Sequence, residues 1–91
     1  MGFFWNTKPK VSKGEFQKIR NYLYSKGFSH KELERVEEIF RADIDESGSY
    51  EQGISGEEVN KGIKWMRENM NDHHISSSKI DLLEKALRSK L

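Results

Sequence analysis

The hexapeptide ISGEEV, residues 54 to 59, carries the pattern that decides the fold. It reads apolar, Ser, two variable residues, Glu, apolar. The same pattern stands at VSKGEF (11–16) and FSHKEL (28–33). A fourth copy, ISSSKI (75–80), has Lys79 where the others have Glu. A serine here can accept from a backbone N–H two or three residues on, satisfying a donor that a helix start leaves open. The Glu can reach back to the serine's own N–H and close a capping box. Ser12, Ser29, Ser55 and Ser76 are therefore predicted N-caps, with Glu15, Glu32 and Glu58 as reciprocal arms. The bracketing pairs Val11–Phe16, Phe28–Leu33, Ile54–Val59 and Ile75–Ile80 have hydrophobic-staple spacing.

Each start leads into apolar residues at helical spacing. The first stripe is Phe16, Ile19 and Leu23, stopping near Gly27; the second is Leu33, Val36, Ile39 and Phe40. The third is Val59, Ile63, Met66 and Met70, and the fourth is Ile80, Leu83 and Leu87. Stripes of this kind form a core rather than a cofactor face. The expectation is an all-α, small four-helix domain covering residues 1–91, with an aromatic and basic arm at 1–10. Helices are predicted over about 13–26, 30–42, 56–70 and 77–90. Gly62 lies inside the third helix, where it costs about 1 kcal/mol relative to Ala. That cost points to a close helix crossing. Trp65 stands beside the third stripe, at the edge of the core.

The 91 residues are 34% apolar and 34% charged, ordinary for a small soluble domain whose single core leaves only a few kcal/mol of stability. No Cys is present, so neither a disulfide nor a thiolate metal site is available. No stretch approaches the roughly 20 apolar residues of a membrane span. Asn6 stands where myristoylation wants Ser or Thr. A cytoplasmic monomer is expected.

Charge is unevenly placed. Residues 43–58 hold Asp43, Asp45, Glu46, Glu51, Glu57 and Glu58 and no basic residue; with +1 for the whole chain, the rest carries +7. The acidic segment contains FRADIDESG followed by GISGEEV (40–48 and 53–59). These stretches resemble the start and end of an EF-hand calcium loop, D-x-[DN]-x-[DN]-G-x5-E. The resemblance spans roughly residues 30–69. It implies an EF-hand-like helix-loop-helix with calcium held by Asp43, Asp45, Ser47, Glu51 and Glu58, Gly48 allowing the turn and Ile54 pairing with a neighbouring loop. KVSKGEF and HHISSSKI would then be relics of partner hands. The chain departs from the family in length: Gly48 to Glu58 spans ten residues where the motif has six. Two readings follow, a lengthened calcium loop or an acidic connector. Glu58 fits both, since a capping-box Glu and a bidentate ligand each sit in a first helical turn.

No nucleophile–base pair or phosphate loop is visible, so no enzyme is expected. His73 and His74 are adjacent and diverge, lacking the spacing of paired zinc ligands; they read as polar helix-end residues, and His30 reads as surface. The segment FFW (3–5) closes the core, lies at a membrane interface, or joins a basic surface. In the last case Lys8, Lys10, Lys13, Lys18 and Arg20 would meet nucleic-acid phosphates. The leading expectation is a non-enzymatic module that engages a protein partner. The alternative is a metal-free basic helical protein, nucleic-acid-binding or regulatory.

Overall fold

A computed structural model describes residues 10–44 and 53–91. In chain order they form β1 (Lys10–Val11), α1 (Lys13–Ser25), α2 (His30–Ile44), β2 (Ile54–Ser55), α3 (Gly56–Glu68), α4 (Met70–His73) and α5 (Ser77–Arg88). The fold is all-α, with the two short strands as its one extended feature among the described residues.

All four serines cap helices. Ser12 Oγ accepts from the Glu15 N–H at 3.1 Å while Glu15 Oε1 accepts from the Ser12 N–H at 3.0 Å. The Ser29–Glu32 exchange runs at 3.1 and 2.8 Å, and the Ser55–Glu58 exchange at 3.2 and 2.8 Å. Ser76 accepts from the Lys79 N–H at 3.4 Å. All eight staple residues are buried, and they make up half of the sixteen buried apolar side chains among the described residues. The repeat thus starts four helices and supplies half of the core.

α1 ends in a Schellman turn. Gly27 takes φ +105°, its N–H donates to the Tyr24 carbonyl, and the Phe28 N–H donates to the Leu23 carbonyl. Leu23 and Phe28, the apolar pair that accompanies this motif, are both buried. The third predicted helix, in contrast, is divided. At Asn69 the backbone leaves helical geometry (φ −127°, ψ 41°). Its side-chain Nδ2 donates to the Trp65 carbonyl at 2.8 Å, and its N–H turns to the Met66 carbonyl. A short polar side chain that competes for a backbone acceptor breaks the ladder at that point. The remaining residues form the single turn α4, closed by His74 in the left-handed conformation at φ 57°.

β1 and β2 pair antiparallel, Lys10 opposite Ser55 and Val11 opposite Ile54. Of the two segments expected to meet the Ile54 segment, this is KVSKGEF; HHISSSKI buries Ile75 in the core instead. Gly53 permits the approach: at φ +110°, a Cβ there would lie 2.7 Å from the Val11 carbonyl oxygen. α5 packs most extensively on α3 and also lies on α1; α2 packs on α1, β2 and α3. At the α2–α3 crossing the Phe40 ring occupies the space a Cβ on residue 62 would need, which accounts for Gly62. No helix among the described residues is long and apolar enough to cross a membrane. Phe3, Phe4, Trp5 and Lys8 lie outside the described residues.

Candidate functional site

The clasp between β1 and β2 places two helix starts side by side. Val11 and Ile54 are fully buried opposite one another, and each is followed by a capping serine and a helix. The start of α3, which follows α2 in chain order, is therefore tied through β2 and β1 to the start of α1. Of the five expected calcium ligands, Glu58 is described: it stands in the first turn of α3, part-buried, with Oε1 accepting from the Ser55 N–H. A carboxylate oxygen accepts more than one bond, so this cap and a cation ligand role are compatible. Asp43 lies in the last turn of α2. Its side chain, together with Asp45, Ser47 and Glu51, lies outside the described residues. Among the described residues, no three His, Asp or Glu side chains converge on a metal-sized site.

Between α2 and α3 runs a groove of about 580 Å³. Ile39, Phe40 and Gly62 lie along it, with Trp65, Arg35 and Lys61 among its polar or exposed edges. Trp65 is 38% exposed, with the Arg35 guanidinium 5.9 Å from its ring centroid. Arg35 is also held by Asp72 at 2.5 Å and by Glu38 at 3.5 Å. The hydrogen bond to Asp72 is the largest cause of a guanidinium pKa raised above its ordinary value. This edge is thus a positioned Trp–Arg pair with its charge balanced by acids.

His73 stands at the end of α4 as a helix-end residue, but it is buried and structural. The Ile75 N–H donates to Nδ1 at 2.9 Å, and Nε2 lies 2.6 Å from the Met66 carbonyl. Accepting at Nδ1 assigns the proton to Nε2, which donates to that carbonyl. The ring joins the end of α3 to the chain entering α5. Residue pattern alone could not reveal this, because both partners are backbone groups placed by the break at Asn69.

The basic residues do not form one free surface. Arg20 braces α1 against α2 through Glu37 at 3.1 Å. Lys10 and Lys13 each have an interaction of their own. Lys18 remains exposed on α1. On α5 the charges segregate. Asp81 and Glu84 meet Arg67 of α3 at 2.6 and 3.3 Å, and Arg88 meets Glu84 at 2.9 Å. Lys85, and Lys90 in the turn just past the helix, instead border a groove toward α1.

No family model, no curated protein and no solved structure matches this chain.

Proposed function

We propose that the chain is a small non-enzymatic binding module on an EF-hand-like frame. It holds calcium weakly in its 43–58 segment and engages a macromolecular partner through its helical faces. The observation that carries this reading is the Val11–Ile54 antiparallel pair. EF-hands pair through short apolar segments that run directly into their exiting helices, and β1–α1 and β2–α3 have that arrangement. The commitment of the serines supports a non-enzymatic role. Ser12, Ser29, Ser55 and Ser76 each use their hydroxyl to cap a helix, and both His73 ring nitrogens hold backbone groups. Against a phosphate-binding surface stands the α1–α2 ion pair that occupies Arg20.

A calcium titration followed by amide shifts tests the metal component. Binding moves Gly48, Ser49, Ile54 and Glu58 together, and Asp43→Ala/Asp45→Ala abolishes the response. Unchanged spectra at millimolar calcium overturn the metal component; retained binding in the double variant overturns the assigned ligands. Steeply salt-dependent binding of DNA or RNA would favour the basic, metal-free alternative.

A further inference from the structure

We infer that the groove between α1 and α5 docks an acidic, apolar-anchored segment of a partner protein. This deepens the reading of the chain as a binding module and rests on it. The groove measures about 320 Å³, room for a few side chains rather than a whole domain. Ile19, Leu82 and Ala86 line it, Ile19 being buried and the other two half-buried, so they offer a recessed apolar floor. Three exposed lysines border it: Lys18 from α1, Lys85 from α5 and Lys90 from the turn that follows α5. None of the three makes an ion pair among the described residues. Lys90 and Lys18 both help lower the pKa of Glu15, in the first turn of α1, after the leading effect of its hydrogen bond from the Ser12 N–H. Tyr22, 44% exposed, adds an aromatic wall, with Lys26 Nζ 5.6 Å from its ring centroid.

The alternatives fit less well. A bilayer surface recognises apolar side chains that protrude beneath a basic plane, whereas here the floor is recessed and the cations flank it. A nucleic-acid backbone would use the lysines but leave the apolar floor without a partner. A peptide carrying Leu or Phe at one helical spacing and Asp or Glu beside them satisfies floor and rim together. The α5 acids do not oppose it, because Asp81 and Glu84 are held toward α3 by Arg67.

The test uses a synthetic amphipathic peptide with Leu at every third or fourth position and Glu between, in calcium-free buffer. Its controls are the same peptide with Lys for Glu, a DNA duplex, and phosphatidylserine vesicles. The expected result is amide shifts at Ile19, Leu82 and Ala86 with the Glu peptide alone. Lys85→Glu/Lys90→Glu, both exposed positions, should weaken that binding about tenfold or more without lowering the melting temperature. Undiminished affinity in that variant overturns the proposal, as does DNA or vesicle binding that shifts the same amides. Glu-peptide shifts confined to the α2–α3 groove overturn this site while leaving the binding-module reading intact. Failure of every probe at millimolar concentration overturns the docking groove, and the calcium titration then decides the module reading separately.

Discussion

Lys79 Nζ donates to Glu32 Oε1 at 2.9 Å, and the same oxygen accepts the Ser29 N–H at 2.8 Å. Of the four serine-capped starts, the one without a reciprocal Glu has therefore exchanged it for a bond to the capping box of another helix. Lys79 Nζ also lies 5.6 Å from the centroid of the Phe28 ring, the staple residue at that box. The starts of α2 and α5, 47 residues apart in sequence, are joined through one carboxylate.

Completing the fourth capping box should destabilise the protein. Lys79→Glu offers the Ser76 N–H a reciprocal acceptor, a gain of at most about 1 kcal/mol. It also removes the Glu32 partner and sets a second carboxylate beside it, which reverses a part-buried ion pair. Urea unfolding should show a net loss of about 1 kcal/mol. An increase would mean that the Lys79–Glu32 contact contributes nothing.

Acid should weaken the same junction. Burial pushes the Glu32 carboxyl up, but the hydrogen bonds from Lys79 and the Ser29 N–H together outweigh it, and the folded-state pKa is lowered. A depressed carboxylate contributes stability that is present above its ordinary value of about 4.3 and is lost as pH falls through the lower folded value. Glu15 acts in the same sense, chiefly through the Ser12 N–H. Stability should fall on acidification below about pH 4.5, and Glu32→Gln should make that slope shallower without removing it. An unchanged slope in the variant would exclude Glu32 as a contributor.

Two glycines should resist replacement for different reasons. Gly62→Ala gains about 1 kcal/mol of helix propensity, but its Cβ meets the buried Phe40 ring inside any normal contact distance. The overpacking cost of about 1–3 kcal/mol should prevail, seen as a lower midpoint in urea. Gly53→Ala meets the Val11 carbonyl oxygen at a positive φ, so it should loosen β1–β2. Faster hydrogen exchange of the strand amides, with smaller changes in α5, is the expected signature.

His73→Ala should be among the costlier single changes. It leaves the Ile75 N–H and the Met66 carbonyl without their partner in a buried place. Each such group costs about 1–3 kcal/mol, so a loss of about 2–4 kcal/mol is expected by chemical denaturation. A loss below about 0.5 kcal/mol would show that water replaces the ring.

The local half of the design was legible in the chain. Capping and stapling act over three to five residues, so ISGEEV and its three relatives located four helix starts, and the stripes behind them located the core. Gly62 signalled a close crossing because its cost inside a helix needed a reason. What the tertiary structure alone decided is long-range. Nothing in sequence says that Val11 should meet Ile54 rather than Ile75, because both choices bury the same kind of side chain. The close passage of Gly53 under the Val11 carbonyl selects one. In sequence Lys79 is only the residue that stands where the other copies have Glu; the fold sets Glu32 beside it. His73 looked like a helix-end polar residue until the break at Asn69 presented two backbone groups to its ring. The α1–α5 groove depends on which faces of two distant helices come together. Local hydrogen bonds are written in residue spacing; pairing between distant segments is set by which arrangement satisfies their backbone groups and fills the core at once.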